Sequence, residues 1–456
     1  MKVDILVAEI GSTTTVVNAF VGLDTKDPHF IGQGQWKTTV LEGDVNIGLA
    51  NAIKDLEANL EVESLEYGNL LATSSAAGGL KMTVHGLVYD MTVKAAKEAA
   101  LGAGANLHMV TSGRLRRTDL QKLQDISPNI ILIAGGVDYG ERDTAIYNAE
   151  AIAKLPLDVP VIYGGNIENQ EEIRLIFKEQ GKEELLYLVD NVYPKIDTLN
   201  VEPTRRVIQD VFEEHIVHAP GMSHVRDIVS GPIIPTPGAV MEASKILKEE
   251  IGDLVTIDVG GATTDIHSVT AGTEEVNKIL LDPEPEAKRT VEGDLGVYVN
   301  MLNVVEMIGR EKLEEELSLT VDKMDELMLE YRAIPKTTKE LEFVERLTKE
   351  AVEVSANRHA GGFRTYFGGT TRTLAVGKDL TGVKWIVGTG GALTRLPARR
   401  EILARMPLTN KGDKLLPTAE AKIVIDNDYI MASLGVLSKV NKEAALLLLK
   451  RSLEID

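Results

Sequence analysis

The chain has no cysteine among its 456 residues. That excludes disulfides, a thiolate nucleophile, and any zinc or iron–sulfur centre held by cysteine. It also lacks an apolar run of about 18 residues, the length a membrane-spanning helix needs. Its first residues, Met1-Lys2-Val3-Asp4, carry no apolar core of a signal peptide, so a cytoplasmic protein is expected. Cations are in deficit: Lys+Arg 49 against Asp+Glu 69 gives a net charge of -20. So acidic a surface repels nucleic acid and anionic lipid, and neither is expected as a partner. Phosphate, if bound, must be held locally by backbone N–H groups. There is no Gly-x-Ser-x-Gly nucleophile elbow and no Walker lysine motif, so those hydrolase and P-loop readings lose support. His215, His218 and His224 lack an acidic or cysteine partner at metal-ligand spacing and read as surface or structural residues.

What is present is a near-repeat. Ile5–Ala8 leads into Glu9-Ile10-Gly11-Ser12-Thr13-Thr14-Thr15, then Val16–Phe20; Leu254–Ile257 leads into Asp258-Val259-Gly260-Gly261-Ala262-Thr263-Thr264-Asp265, then Ile266–Val269. Both read as strand, tight turn, strand. Gly11 and Gly260 are 249 residues apart. A second pair has nearly the same offset: Ile130–Ala134 ends in Gly135-Gly136, and Trp385–Val387 ends in Gly388-Thr389-Gly390-Gly391, with 255 residues between Gly135 and Gly390. Together the pairs point to duplication of a whole domain.

The expected organisation follows. A length of 456 residues exceeds one compact core. A first domain spans 1–245, with an α/β insertion at about 156–230; a second spans 246–428; helices over 429–456 cross back onto the first. The breaker-rich stretch Ser230–Gly238 reads as a hinge or a boundary. Helical spacing marks Val321–Tyr331 and Glu340–His359, and Gly361-Gly362 supplies a stop.

A turn of Gly260, Gly261, Ala262, Thr263 and Thr264 offers consecutive backbone N–H groups with no bulky side chain in the way, suited to phosphate oxygens, and its threonine hydroxyls are expected to add donors. Gly11, Ser12, Thr13 and Thr14 form the first such loop. Asp258, with Glu9 as its counterpart, precedes the turn; a carboxylate there becomes useful through Mg2+, directly or across water, since that ion keeps waters and takes one or two carboxylates. Two opposed loops would clamp a triphosphate, and Gly388, Thr389, Gly390 and Gly391 would admit base and ribose. Gly135-Gly136 reads better as a plain strand end. Glu292 and Asp294, before an apparent helix Leu295–Val304, touch ribose, close the cleft, or serve as acids at a helix start.

These motifs, in this order and spacing, resemble the ATPase superfamily of actin, sugar kinases and heat-shock chaperones. The first loop departs from the usual Asp by carrying Glu9. The resemblance implies two actin-like (ribonuclease H-like) α/β domains flanking a nucleotide cleft, with ATP or ADP and Mg2+ as cofactors and Asp258 and Glu9 as the catalytic carboxylates. Four longer strings, Ser74–Met82, Ala99–Gly104, Arg289–Gly296 and Arg358–Gly362, resemble the glutamate mutase-associated family labelled MutL or GlmL, unrelated to the mismatch-repair protein. That implies a weakly ATP-hydrolysing reactivating chaperone for an adenosylcobalamin-dependent mutase or aminomutase, which releases damaged cobalamin by nucleotide-driven domain motion. The mutase subunits would be its partners, with a small companion subunit left open. The alternatives are a small-molecule kinase, a hydantoinase- or oxoprolinase-like ATPase, and an actin-like structural protein. Activators of hydroxyacyl-CoA dehydratases share the fold but hold a cluster by cysteine, which this chain lacks.

Overall fold

The computed structural model describes residues 1–11, 14–76, 79–218, 221–366, 372–408, 410 and 412–455. The chain forms two compact units. Unit 1 takes Met1–Ala243 and Ala432–Leu448; unit 2 takes Ser244–Met431 and Leu449–Asp456. Among the described residues no helix is long and apolar enough to cross a membrane.

In chain order, unit 1 contains β1 (Lys2–Ile10), β2 (Thr14–Val21), β3 (His29–Lys37), β4 (Glu66–Ser74), β5 (Leu80–Gly86), β6 (Ala105–Ser112), β7 (Ile130–Ile133), β8 (Val161–Tyr163), β9 (Leu186–Leu188) and β10 (Ile233–Pro235). Five of them make a sheet in the order β10-β4-β1-β2-β3. β1, β2 and β3 form an antiparallel meander, while β4 runs parallel to β1 and β10 parallel to β4. The helix Val45–Asn59 is started by Asp44, whose side chain accepts from Asn46 N; it buries Val45, Leu49, Ala52 and Leu56 on one stripe, the spacing of a helix lying on a sheet. Gly34 of β3 permits the close approach, because a Cβ there would sit 2.2 Å from Leu56 N.

The other five strands form a second sheet, β6-β5-β7-β8-β9, parallel throughout. In β7, Ile130 and Leu132 face one core while Ile131 and Ile133 face another. Burial on both faces is what makes a parallel strand read as an unbroken apolar run. The α/β insertion is therefore wider than the expected 156–230: its strands begin at Leu80 and all lie between β4 and β10.

Unit 2 contains β11 (Leu254–Val259), β12 (Thr264–Val269), β13 (Ala287–Glu292), the hairpin β14 (Gly362–Tyr366) and β15 (Arg372–Val376), then β16 (Trp385–Thr389) and β17 (Lys422–Ile425). Its main sheet has the order β13-β12-β11-β16-β17. β11, β12 and β13 are an antiparallel meander; β16 is parallel to β11 and β17 parallel to β16. Strand order and directions thus match the first sheet of unit 1. The registers match too: Ile10 opposes Thr15 and Glu9 opposes Val16, as Val259 opposes Thr264 and Asp258 opposes Asp265. This is a duplicated α/β architecture of the actin-like (ribonuclease H-like) kind.

Two expectations are corrected. The counterpart of β16 is β4, which pairs with β1 as β16 pairs with β11; β7, with its Gly135-Gly136 end, belongs to the inserted sheet. The 255-residue offset was a coincidence between two strands that merely end alike. Nor is Ser230–Gly238 a hinge. It contains β10, buried along its length and bonded to β4, and Pro235 is tolerated because β10 is an edge strand.

Candidate functional site

The two glycine loops are built alike. Gly11 N donates to Thr14 O at 3.0 Å, and Gly260 N donates to Thr263 O at 2.9 Å. The turn at Gly11 is tight enough that a Cβ would lie 2.6 Å from Thr14 O. Glu9 is half-buried one residue before the end of β1, and Asp258 likewise before the end of β11. Thr14 opens β2 and is exposed; Ser12 and Thr13 lie outside the described residues.

In unit 2 the loop is braced from behind. Val297 N donates to Gly260 O, both Tyr298 N and Val299 N to Gly261 O, and Asn300 Nδ2 to Ala262 O. In a trans peptide the N–H points opposite to its carbonyl. With those three carbonyls drawn to one side, the N–H groups of Gly261, Ala262 and Thr263 face the other, which is the arrangement of an anion-binding nest. Gly296 allows the brace to approach: a Cβ on it would stand 2.3 Å from Ala262 C.

The turn after β16 meets the carboxylate. Asp258 is in register with Thr389 across the parallel pair β11–β16. Gly390 has φ +84, and a Cβ there would fall 2.3 Å from Asp258 Oδ1, whereas Gly391 faces open space. Gly388 and Thr389 are buried. Thr389 Oγ1 donates to Asp426 Oδ2 at 2.9 Å. The buried Asp426, which sequence reasoning missed, also accepts from Ile430 N, Met431 N and Ser452 Oγ. It thereby ties the turn to the backbone of Ile430 and Met431. Unit 1 repeats the device with different chemistry, Thr236 Oγ1 bonding Thr73 Oγ1 at 3.2 Å. The signal that could have found Asp426 is its place, directly after a buried strand and before a helix.

The threonine hydroxyls do not all act as expected. Thr264 is fully buried and donates to Leu295 O, so its side chain holds the turn and does not present a donor to phosphate. Thr263 Oγ1 lies 3.0 Å from Asp265 Oδ2. A carboxylate carries no proton, so the hydroxyl is the donor. Asp265 is in turn gripped by Arg289, whose Nε and Nη2 both donate to Asp265 Oδ1, at 2.9 and 2.6 Å. Side-chain alternation puts Asp265, His267 and Arg289 on one face of the β12–β13 pair, with His267 directly opposite Arg289. Burial and the Arg289 charge hold His267 well below its ordinary pKa. The ring is neutral, and neither of its nitrogens has a hydrogen-bond partner among the described residues.

Glu292 and Asp294 are brought together by Arg358, which donates to Glu292 Oε2 at 2.6 Å and to Asp294 Oδ1 at 2.8 Å. Hydrogen bonding from Arg358 holds the Asp294 carboxyl below its usual range. They are not acids at the start of a helix Leu295–Val304: residues 293–300 are turns, and the helix begins at Met301. One residue on, His359 contacts Thr290 Oγ1 and Ser268 Oγ at 2.9 and 2.8 Å. The strings Arg289–Gly296 and Arg358–Gly362 are therefore two sides of one clamp, fastening the end of the helix Thr338–His359 to β12 and β13.

Among the described residues no three His, Asp or Glu are placed to hold a metal ion. His224 pairs with Asp227 at 3.2 Å, apart from His215 and His218, whose rings lie 5.6 Å from each other. One or two carboxylates are all that Mg2+ asks of a protein, the rest of its shell being water and phosphate, so Asp258 beside the loop fits the role of holding it.

Comparison with known proteins places this construction. The family model described as MutL protein matches residues 5–453. Protein MutL of Clostridium tetanomorphum is 36% identical over 464 residues, covering 98% of both chains. Among solved structures, the nucleotide-free diol dehydratase-reactivating factor is 10% identical at TM-score 0.41, covering 97% of this chain and 100% of its own. A glycerol dehydratase reactivase is 11% identical at TM-score 0.34, covering 96% and 100%. By the match along nearly its whole length, the chain belongs to the MutL protein family.

Proposed function

We propose that the chain binds ATP with Mg2+ and hydrolyses it slowly, and that it acts as a reactivating chaperone for an adenosylcobalamin-dependent mutase or aminomutase. The observation that carries the nucleotide reading is the nest of unit 2: three consecutive N–H groups facing one way, a carboxylate beside them, and a glycine turn packed on that carboxylate. In unit 1, Glu9 and the Gly11–Thr14 turn repeat the same hydrogen bond and the same register.

Each part has a role. The N–H groups of Gly261, Ala262 and Thr263 take phosphate oxygens without a basic surface field, which suits a chain of net charge -20. Asp258 holds the hydrated cation. The turn after β16 passes close to Asp258 at Gly390, and the exposed Gly391 leaves open backbone, with no side chain in the way, for ribose and base. Glu292 and Asp294, paired on Arg358, stand ready to bond ribose hydroxyls. Mg2+, when bound, would neutralise phosphate charge. The client side is supported by membership of the MutL protein family together with the resemblance of Ser74–Met82, Ala99–Gly104, Arg289–Gly296 and Arg358–Gly362 to glutamate mutase-associated proteins.

The test uses a cobalamin mutase inactivated by its own turnover, then supplied with this protein, ATP, Mg2+ and fresh coenzyme. Recovery of mutase activity that requires ATP supports the proposal. Absence of recovery with every candidate client, together with phosphorylation of a metabolite, would replace it by the kinase reading. Asp258→Ala is expected to abolish Mg-dependent turnover while leaving the circular dichroism spectrum unchanged.

A further inference from the structure

We infer that the inserted sheet of unit 1 carries a ligand site of its own, and that its ligand is a free corrinoid. The site is the crevice at the carboxyl end of that sheet, between the exits of β5 and β7. The choice of ligand rests on the reactivase reading above; the existence of the site does not.

The topology marks the place. Counted from β5, the strand order β6-β5-β7-β8-β9 is the order 2-1-3-4-5 of a doubly wound sheet. Such sheets bind ligands outside their carboxyl ends, where neighbouring strands send the chain to opposite sides. Here that point lies between β5 and β7. The chain leaves β5 for the helix Lys94–Gly102, whose Ala95, Ala96, Ala99 and Ala100 pack into one core. It leaves β7 for the helix Asp143–Ala153, whose Ala145, Ala149 and Ile152 pack into another. The exits part accordingly. Gly113 N, after β6, donates to Gly86 O and Leu87 O. On the other side, Asn191 Nδ2, after β9, donates to Gly136 O and Asp138 Oδ1, and Ile167 N, after β8, donates to Asp138 Oδ1. Among the described residues the last rung between β5 and β7 is Ala134 N to His85 O.

The rim of this crevice is fixed in advance. Of the five asparagines buried among the described residues, Asn148, Asn166, Asn169 and Asn191 all serve this end of the sheet. A buried amide is kept only where it is bonded, and these four bond loops. Asn148 takes Leu115 N and donates to Gly113 O, Asn166 Oδ1 takes Tyr139 N, and Asn169 Nδ2 donates to Arg142 O. Thr92, also buried, accepts from Leu87 N and Val88 N. Loops held in one shape lower the cost of binding. On this frame Val88, Tyr89, Tyr139 and Ile167 are left exposed. Tyr139 is 79% exposed and has φ +63, a left-handed conformation that strains a tyrosine. The fold thus holds a strained aromatic residue in solvent, where it adds nothing to the core.

The residues select among ligands. A flavin or dinucleotide places its phosphate on glycine N–H groups at the first turn of such a sheet. After β5 this chain reads Leu87-Val88-Tyr89-Asp90, with no glycine and with an exposed carboxylate. What fits is broad and mostly uncharged. From β6 to β8 the exits span three strand spacings, roughly 14 Å, more than a single purine fills. Asp138, pinned by Ile167 N and Asn191, is an acceptor for N–H donors. Beyond β6 stand three exposed cations, Arg114, Arg116 and Arg117, on a chain of net charge -20. A corrinoid has the complementary composition: a wide macrocycle with apolar faces, a rim of neutral amides, and, in cobalamin, one phosphodiester in a side tail. It is also the group that the proposed client gives up. Held on this sheet, a released corrinoid is kept from returning to the client.

The full chain, without nucleotide, is titrated calorimetrically with hydroxocobalamin, with dicyanocobinamide, which lacks the phosphodiester tail, and with FMN. Wild type is compared with Tyr139→Gly, with Arg116→Ala combined with Arg117→Ala, and with Leu175→Ala, an exposed residue of the helix Gln170–Glu179. Both corrinoids are expected to bind wild type, and FMN is not expected to compete. Tyr139→Gly relieves the left-handed strain, so it should melt no lower than wild type, yet lose about ten-fold or more in affinity for both corrinoids. A tyrosine kept for structure alone would do the reverse. The arginine pair should weaken hydroxocobalamin about five-fold and leave dicyanocobinamide within about two-fold; Leu175→Ala should bind like wild type. No corrinoid binding at about 1 mM, Tyr139→Gly within about two-fold of wild type, or FMN bound more tightly than dicyanocobinamide would each overturn the inference. A protein that rescues its client with ATP but binds no corrinoid overturns this inference alone. Corrinoid binding by a protein that rescues no client overturns the reactivase reading and leaves the site standing.

Discussion

Two adjacent glycines, Gly390 and Gly391, make opposite predictions, and their contrast tests whether the turn after β16 sets the position of Asp258. A Cβ at Gly390 would lie 2.3 Å from Asp258 Oδ1 and 2.7 Å from both Val259 N and Val259 O. A carbon and an oxygen normally approach to about 3.3 Å. The backbone of Val259 is fixed in the ladder, so the carboxylate must retreat by roughly 1 Å, and a displacement of that size at a reacting centre costs on the order of 10²-fold in rate. The backbone adds its own term. At φ +84, alanine is strained by about 1–2 kcal/mol, and overpacking adds about 1–3 kcal/mol. For a unit of this size a loss of about 3 kcal/mol lowers the melting temperature by roughly 10 °C. Gly390→Ala should therefore show both a lower melting temperature and a Mg-dependent ATP turnover reduced on the order of 10²-fold. Gly391→Ala meets nothing within 4 Å and sits in the helix Gly390–Arg395, where alanine is favoured by about 0.4–1 kcal/mol; it should turn over like wild type and melt no lower. Wild-type turnover by Gly390→Ala, measured at a temperature where it is folded, would refute the link between this turn and the carboxylate.

The remaining predictions concern the polar groups buried around the site. His267 and His359 are both held neutral well below their ordinary pKa by burial. The unfolded chain therefore binds more protons as pH falls below about 6.5, and each residue removes up to about 1.4 kcal/mol of stability per pH unit until its folded pKa is reached. Urea denaturation of His267→Leu should show about half of this combined contribution in the acid range and, at pH 7.5, a gain of about 1 kcal/mol from losing an unpartnered ring; an unchanged acid slope would remove His267 from the account. Asp426→Ala strands Thr389 Oγ1, Ile430 N, Met431 N and Ser452 Oγ, and should cost about 3 kcal/mol or more by the same measurement. A cost under about 1 kcal/mol would mean that those donors find other acceptors.

What the sequence disclosed, and what it hid, divides along the line between local and non-local structure. The strand–turn–strand loops at Gly11 and Gly260 were legible because the turn, its glycines and both flanking strands lie within about ten residues, where backbone preference alone writes the pattern. Gly135-Gly136 misled because every strand of a parallel sheet needs a sharp exit, and which sheet the strand joins is decided by pairing with residues far away. The true partner β4 was disguised: its first four residues, Glu66, Tyr67, Gly68 and Asn69, are exposed, and only its second half is buried. β13 was missed for a different reason. Lys288 and Arg289 give it the look of a solvated segment, and nothing nearby says that Arg289 is 1% exposed. A guanidinium at that depth is tolerable only because Asp265 meets it with two hydrogen bonds, and Asp265 lies 24 residues away. The same pairing commits the Thr263 hydroxyl proton to Asp265, a partner on the neighbouring strand pair that the loop's own sequence does not announce. Glycine spacing thus locates a turn of this kind, but where its hydroxyls donate depends on the neighbouring strand. In this chain that strand is β13, where Arg289 meets Asp265.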